Sequence, residues 1–245
     1  MSTIEIDGVA ADQGAFERAI APEGHFTAMQ VRDGGARGLD LHLARLRAAN
    51  RELFDADLDP DHVRALIRHA LGEVADASVR VYVHERNPPA IVVTVKPPAE
   101  MASPQFLGSQ RYQRPNAHLK LVHTEQGRYR ELAQREGFDD ALLVGRDDLL
   151  SETSMANVGF FDTGGVVWPD APMLRGITMQ LLDRTVRTRR TPIPLADVGR
   201  FEGAFVSSAR GLGVVSRIDD VAIPVAADRL RELTEAYAAI LSDPI

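Results

Sequence analysis

The chain has 245 residues and no cysteine, so disulfide bonds and thiolate chemistry are excluded. Apolar residues make up 44% and charged residues 26%, a globular composition, and no apolar run reaches the roughly 18 residues that a membrane span requires. The net charge of −7 argues against a broad nucleic-acid surface, and the acidic N-terminus lacks a signal-peptide pattern, so we expect a cytoplasmic protein.

The first half of the chain predicts a compact α+β domain. Alternation in TIEIDG indicates a strand, and the Asp-Gly-Gly turn within HFTAMQVRDGGARGLDLHL indicates a hairpin. Amphipathic helices follow in LHLARLRAANRELF and in DPDHVRALIRHALGEV, the second with Asp59 as its N-cap. SVRVYVHERNPPAIVVTVKPP predicts two strands joined through Asn87-Pro88-Pro89. The predicted order is ββ-α-α-ββ.

The second half of the chain is richer in strands and less regular. The stretch 96–105, rich in Pro and small residues, is the best linker candidate. Helices are predicted near 124–136, near 176–190 and in AADRLRELTEAYAAIL, and strands near 140–145, 157–162, 165–168, 203–207 and 213–218. We therefore expect an N-terminal domain over 1–97, a linker over 98–104 and a C-terminal domain over 105–245.

Several common catalytic motifs are absent from the chain. There is no Walker-type phosphate loop, no G-x-G-x-x-G after a strand, no H-E-x-x-H and no G-x-S-x-G. The seven histidines are scattered, so no metal site is expected.

Lys120 is one of only two lysines, the other being Lys96 in the Pro-rich stretch. It stands between Leu119 and Leu121, where desolvation would favour the neutral amine and with it imine formation with a carbonyl. The alternative is a lysine that reaches solvent from a strand edge.

A carboxylate and a helix start are two further candidates. Glu152 lies in SETSMAN, between two apolar runs, which we expect to form a turn that feeds a strand. MLRGITMQLL opens a helix after Gly176, where free N–H groups and the hydroxyl of Thr178 would bind an anion. Taken singly, an exposed loop carboxylate and a helix start without a ligand explain these features as well.

Taken together, the three features match what pyridoxal 5'-phosphate (PLP) requires. A lysine forms an imine with it, a carboxylate keeps the pyridine nitrogen protonated, and a helix N-terminus with an arginine holds the phosphate. Arg45 in HLARLRAAN is the candidate arginine.

The sequence resembles the fold-type IV PLP enzymes of the class IV aminotransferase family, which includes branched-chain aminotransferase, D-amino acid aminotransferase and aminodeoxychorismate lyase. The resemblance covers most of the chain and rests on HLARLRAAN, GFDDALLVGRDDLLSETSMANVGFF, WPDAPMLRGITMQLL and AFVSSARGLGVVSRID. It implies a two-domain α+β fold, with a smaller N-terminal domain, a larger strand-rich C-terminal domain and the cofactor between them. It also implies a homodimer whose partner loops complete each site.

The resemblance also implies a role for each candidate residue. Lys120 would be the catalytic residue, Glu152 the partner of the pyridine nitrogen and Asn157 a nearby structural residue. The phosphate would be bound by four positions, the last of which is either of two serines: Arg45, Ile177, Thr178, and Ser208 or Ser207.

Three features depart from the family pattern. Many members carry a tyrosine shortly after the lysine, where this chain has Glu125, and no tyrosine lies closer than Tyr129. The Arg-x-His pattern linked to D-amino acid binding is also missing, as is the arginine- and glycine-rich segment of the lyases. The sequence leaves five arginines open as partners of a substrate carboxylate: Arg32, Arg86, Arg111, Arg128 and Arg210.

The function that these patterns favour is a PLP-dependent aminotransferase acting on a small amino acid and 2-oxo acid pair. One alternative is a lyase of the aminodeoxychorismate type, which uses the same lysine for β-elimination. The other is a non-catalytic relative that binds a ligand or a partner.

Overall fold

The structure, a computed structural model, describes residues 2–21, 23–86 and 88–245. The chain divides into two compact units. Unit 1 comprises the residues up to Ala99, Leu119–His123 and Leu241–Ile245, and unit 2 comprises Glu100–His118 and Thr124–Ile240. The division near Ala99 lies in the Pro-rich stretch, while the domain boundaries given above remain a prediction.

Unit 1 contains helices and one sheet, whose strands differ in length. Its helices in the described residues are α1 (Gln13–Ile20), α2 (Leu39–Phe54) and α3 (Pro60–Leu71). Its strands are β1 (Thr3–Ile6), β2 (Val9–Ala10), β3 (Gly24–Arg32), β4 (Gly35–Ala36), β5 (Ala77–His84), β6 (Ala90–Lys96) and β16 (Asp243–Pro244). The strand order is β16-β4-β3-β5-β6-β1-β2, and every pairing is antiparallel.

Local chemistry explains the elements of unit 1 that the sequence predicted. Asp59 accepts a hydrogen bond from Asp61 N, Pro60 opens α3, and Gly72 ends it with a φ of 54°. The predicted hairpin is present as β3 and β4, and both predicted β-branched strands are present as β5 and β6. The joining residue Asn87 lies outside the described residues.

One face of the unit 1 sheet packs on α2 and α3. The core on this face is apolar and fully buried, with members from both helices and from the central strands: Met29, Val31, Leu39, Leu46, Val63, Ile67, Val79, Val81 and Val93. Apolar surface removed from water contributes roughly 25 cal/mol per Å², so this core stabilises the packing of both helices on the sheet.

Unit 2 contains a larger sheet with helices. Its helices in the described residues are α4 (Gln126–Arg135), α5 (Ile177–Thr185) and α6 (Ala227–Ala238), with a 3₁₀ helix at Leu195–Arg200. Its strands are β7 (Gln105–Arg111), β8 (Asp140–Val144), β9 (Leu150–Thr153), β10 (Asn157–Asp162), β11 (Gly165–Pro169), β12 (Thr188–Thr191), β13 (Gly203–Ser208), β14 (Gly211–Ile218) and β15 (Val221–Ala222).

The unit 2 sheet has the order β12-β11-β10-β13-β14-β7-β8-β9, with β15 paired to β14. Three pairings are parallel, namely β7 with β8, β7 with β14, and β11 with β12. Trp168, Phe205 and Leu182 are buried in a cluster that joins the sheet to α5, and Leu233 of α6 belongs to the same cluster. The expected α+β fold with a strand-rich second unit is confirmed.

Three features of the structure differ from the sequence predictions. Helix α1 was not predicted, although Asp12 caps it by accepting a hydrogen bond from Ala15 N at 2.7 Å. The helix expected to reach residue 190 ends at Thr185, because Val186 is extended and Thr188–Thr191, which has a β-branched threonine at each end, pairs with β11. Strand β7 was also not predicted.

None of the helices in the described residues combines the length and the apolar character that a membrane-spanning helix requires.

Candidate active site

Lys120 lies in a segment that is held against the edge of the unit 1 sheet. Because β4 pairs only with the far end of β3, the first half of β3 has an open edge. The segment Leu119–His123 fills it: Phe26 N donates to Lys120 O at 2.9 Å, and Val122 N donates to Gly24 O at 2.9 Å. The backbone of Lys120 is therefore fixed like that of an added strand.

The Lys120 side chain is half-buried, and its amine has a defined position. Nζ lies 4.8 Å from the centroid of the Phe26 ring, which is a cation–π contact. This contact places the amine next to the Phe26 ring.

His42 lies near both Lys120 and Arg45. It is fully buried on α2, and Thr27 Oγ1 and His42 Nδ1 share a hydrogen bond of 2.6 Å. Burial, and then the nearby charges of Arg45 and Lys120, lower the pKa of His42 from 6.5 to about 3. The imidazole is therefore neutral at neutral pH, and both predicted cations of unit 1 lie near it.

Glu152 is a buried strand residue, so the expectation of a turn was wrong. It belongs to β9, which pairs antiparallel with β8, and the turn follows β9 instead. One carboxylate oxygen accepts from Arg114 Nη2 at 3.0 Å, and both side chains are less than a tenth exposed. Leu174 N approaches both oxygens at 3.3 Å. A buried carboxylate can remain charged here because a buried guanidinium compensates it.

Asn157 holds the segment that leads into α5. Its Nδ2 donates to Leu174 O at 2.7 Å, and its Oδ1 accepts from Gly176 N at 3.1 Å. A Cβ at position 176 would lie 2.2 Å from that oxygen, so glycine is required for this close approach. Glu152 and Asn157 thus hold the same short segment through hydrogen bonds with its backbone.

The first turn of α5 carries Ile177 and Thr178, and no side chain caps it. The first N–H groups of a helix have no partner within the helix, and they attract anions. The hydroxyl of Thr178 donates to Ser208 O at 2.8 Å, which ties the start of the helix to β13.

The two predicted serines differ in environment. Ser207 is paired with Asn157 across β10 and β13, so their side chains share the face of the sheet on which α5 begins. Its Oγ is buried and has no hydrogen-bond partner among residues 2–21, 23–86 and 88–245. Ser208 Oγ accepts from Arg210 N at 3.1 Å.

The structure brings the predicted residues together in two sets. Arg45 and Lys120 lie in unit 1, and all the others lie in unit 2: Glu152, Asn157, Ile177, Thr178, Ser207 and Ser208. Sequence reasoning missed Arg114, because an arginine in RYQRPNAHLK carries no signal that it meets a distant carboxylate.

The structure also describes the residues at and near the position where the family tyrosine is missing. Glu125 is exposed at the start of α4. Tyr129 stacks on Tyr112, with ring centroids 4.4 Å apart. Within the described ranges, no group of three or more His, Cys, Asp or Glu side chains is arranged to hold a metal ion.

The unit 2 residues fit a cofactor with a cationic ring nitrogen and a phosphate. A buried ionic carboxylate suits the former, while an uncapped helix start and an unsatisfied serine hydroxyl suit the latter. This fold with this site defines the class of fold-type IV PLP-dependent enzymes.

The chain belongs to the amino-transferase class IV family, whose model matches residues 24–218. It is an enzyme of a family of PLP-dependent aminotransferases and lyases. Comparison with curated protein sequences gives no significant match.

Solved structures share the fold at low sequence identity. A hypothetical aminotransferase from Mycobacterium tuberculosis in its PLP-bound form has a TM-score of 0.83 at 20% identity, with 98% of this chain and 99% of that chain covered. The branched-chain amino acid aminotransferase of Escherichia coli has a TM-score of 0.84 at 14% identity, with 97% and 94% covered. For a putative 4-amino-4-deoxychorismate lyase from Legionella pneumophila the TM-score is 0.77 at 18% identity, with 90% and 93% covered.

Proposed function

We propose that this protein is a PLP-dependent aminotransferase that moves an amino group between a small amino acid and a 2-oxo acid. One observation carries the proposal. In unit 2, the buried carboxylate of Glu152 and the uncapped start of α5 are tied to one short segment, Leu174–Ile177. Its ends are at most about 10 Å apart, so one molecule can contact both groups.

PLP supplies a ring that withdraws electrons from the bond being broken in the substrate. Glu152 would hold the proton on the ring nitrogen, because its own charge is stabilised by Arg114 and by Leu174 N. Arg114 is thereby a positioning residue, since it contacts the carboxylate and not the ring.

Lys120 would hold the cofactor covalently and would move the substrate proton as general base and acid. Its fixed backbone and its contact with Phe26 support this role, since proton transfer requires a well-placed amine.

The phosphate would be held by backbone N–H groups and by side chains of the predicted residues. Arg45 contributes a guanidinium, and Ile177 and Thr178 contribute first-turn N–H groups. Because the hydroxyl hydrogen of Thr178 is used by Ser208 O, we propose that the Thr178 backbone, rather than its hydroxyl, contacts the phosphate. Of the two serines, Ser207 is favoured, because its hydroxyl lacks a partner among the described residues.

Family membership also supports proposals for the substrates, the assembly and the cellular location. The substrates would be small amino acids and 2-oxo acids, the assembly a homodimer and the location the cytoplasm. Measurement of the mass of the purified protein in solution checks the homodimer.

The runner-up is a lyase of the aminodeoxychorismate type, in which the same lysine drives elimination. The similarity to the Legionella protein is the observation that supports this second candidate reaction. Assays separate the two reactions: the aminotransferase converts an added 2-oxo acid to its amino acid, while the lyase releases pyruvate from 4-amino-4-deoxychorismate. Membership of an enzyme family counts against a non-catalytic binding protein.

The test of the proposal uses the two lysines of the chain. Purified protein should show the absorption band of bound PLP, and borohydride reduction followed by mass spectrometry should place the label on the peptide with Lys120. Lys120→Ala should lose the label and nearly all turnover, because no other amine is held at that position.

Lys96→Ala is the matched control and should keep both label and turnover. A label on Lys96, or protein with no PLP band after incubation with PLP, would contradict the proposal.

A further inference from the structure

Residues Leu241–Ile245, which we call the returning segment, belong to unit 1 although the chain reaches them from α6 of unit 2. Strand β16 of this segment pairs antiparallel with β4, with Pro244 opposite Gly35. A Cβ at position 35 would lie 2.9 Å from the Cβ of Ser242, so the glycine permits this close approach. The returning segment is therefore an added edge strand of the unit 1 sheet.

The returning segment is also held by the β3–β4 turn and by α3. Ile245 N donates to Gly34 O at 3.1 Å, and the side chain of Ile245 packs against the apolar core of unit 1. From α3, Arg64 donates to Pro244 O, and Arg68 Nε donates to Ile245 O at 3.1 Å. These contacts give the segment a defined position beside the start of α2.

Helix α2 begins without a cap of its own. Its N-cap residue is Gly38, which has a φ of 67° and no side chain that could accept a hydrogen bond. Leu39 N donates instead to Asp243 Oδ2 at 3.1 Å, and these two residues are 204 positions apart in the chain. An aspartate at this place satisfies a free N–H group of the first turn, and its charge is favourable at a helix N-terminus.

The part of α2 that follows this cap carries His42 and Arg45. His42 N donates to Gly38 O at 3.1 Å, and the His42 side chain is hydrogen-bonded to Thr27 of β3. Arg45 lies six residues after Leu39, which is about 9 Å along the helix at roughly 1.5 Å per residue. The cap and the contact with β3 together set the position of the turn that precedes Arg45.

We infer that Asp243 is a positioning residue for Arg45, an inference that rests on the proposed function, in which Arg45 binds the cofactor phosphate. The carboxylate of Asp243 acts through the helix, because it holds the start of α2 in place before the cofactor binds. A guanidinium on an ordered helix binds an anion more tightly than one that must be ordered during binding.

The test compares the affinity of the full-length chain for PLP and for pyridoxal, which lacks the phosphate. Asp243→Ala should weaken PLP binding by about threefold to tenfold, the size of effect that loss of an N-cap has on a helix start, and should leave pyridoxal binding nearly unchanged. Asp243→Asn should keep most of the PLP affinity, because its amide oxygen accepts the same hydrogen bond.

Asp59→Ala is the matched control, because Asp59 caps α3, a helix that carries none of the predicted site residues. It should lower the stability of unit 1 to a similar extent as Asp243→Ala and should bind PLP as the unmutated protein does. Weaker PLP binding in Asp59→Ala, by the same factor as in Asp243→Ala, would reduce the effect to general destabilisation and overturn the inference.

A double variant shows whether Asp243 acts through Arg45. Arg45→Ala should weaken the binding of PLP and not of pyridoxal, and adding Asp243→Ala to it should cause no further loss. An undiminished effect of Asp243→Ala in that background, or an equal loss of both ligands in the single variant, overturns the inference. Unchanged PLP affinity in Arg45→Ala would show instead that the proposed phosphate role of Arg45 has failed, and the inference with it.

Discussion

Glu152 and Arg114 form a buried ion pair that has two separable consequences. The pair is structural, because each charge compensates the other where water is excluded. In the proposed reaction the carboxylate also has a chemical role at the ring nitrogen. Mutation of one partner disturbs both properties, whereas mutation of both partners leaves no uncompensated charge.

Glu152→Gln should lower the free energy of unfolding by about 3–5 kcal/mol, because Arg114 is left as a buried unpaired charge. Turnover should fall by orders of magnitude, because a neutral amide does not hold the proton on the ring nitrogen. Urea unfolding measures the change in the free energy of unfolding. It can be followed by the fluorescence of Trp168, the single tryptophan of the chain, which is buried in unit 2.

The double variant Glu152→Gln/Arg114→Gln separates the two consequences. It should regain much of the lost stability, because no buried charge remains, but it should not regain turnover. Recovery of turnover in the double variant would rule out Glu152 as the ring partner.

At the scale of elements, the start of α5 is positioned by strands rather than by its own cap. Asn157 of β10 binds both Leu174 O and Gly176 N, and Ser208 O of β13 accepts from Thr178. The N–H groups of the first turn are therefore left for a ligand, and the direction of the helix is set by the sheet beneath it.

Gly176→Ala should weaken PLP binding, because its Cβ would lie 2.2 Å from Asn157 Oδ1 and would break that contact. Loss of such a hydrogen bond costs about 0.5–1.5 kcal/mol, and the displaced helix start loses phosphate affinity as well. Titration with PLP and with pyridoxal, which lacks the phosphate, measures the effect, and PLP should lose more affinity than pyridoxal.

Gly127→Ala in α4 is the matched control, since nothing lies within 4 Å of the added Cβ. It should bind PLP normally and be slightly more stable, because alanine favours the helix. Equal loss of PLP and pyridoxal affinity in Gly176→Ala would argue against a phosphate site at α5.

At the scale of the whole molecule, buried histidines couple folding to pH. Burial lowers the pKa of His25 from 6.5 to about 4, with Asn50 raising it and His84 lowering it further. Burial, Arg45 and Lys120 lower the pKa of His42 to about 3. Both imidazoles are neutral in the folded protein at pH values where they are protonated in the unfolded chain.

Unit 1 should therefore lose stability as pH falls from about 6.5 towards 4. In this window the unfolded chain binds more protons than the native state, so the free energy of unfolding falls by up to about 1.4 kcal/mol per pH unit for each histidine. Hydrogen exchange of the β3 and β5 amides between pH 7 and pH 5 measures the slope.

His42→Gln should reduce the slope by about half, whatever its effect on absolute stability, because one titrating group is removed. An unchanged slope would contradict the assignment. Asp140 in unit 2 acts in the opposite direction, since burial raises its pKa and the native state keeps that proton to higher pH.

The sequence by itself determined the features that depend on neighbouring residues. The cap of α3, the Asp-Gly-Gly hairpin and the alternation of β5 and β6 were predicted because each depends on a few consecutive side chains. The family was identified in the same way, from short stretches such as HLARLRAAN and MLRGITMQLL, and its model matches residues 24–218. Lys120 was singled out as one of only two lysines, Glu152 as a carboxylate between two apolar runs, and Arg45 by the stretch HLARLRAAN.

Only the tertiary structure decided the partners of these residues. The pairing of Arg114 with Glu152 and the edge position of Lys120 beside Phe26 join segments that are far apart in the chain. Such pairs are selected by strand register and by the burial of charge, and neither leaves a local pattern. The same lack of a local pattern explains why Glu152 was expected in a turn. Strand β9 is buried on both faces, so its polar side chains do not alternate with apolar ones. They are placed instead by the buried groups to which they hydrogen-bond.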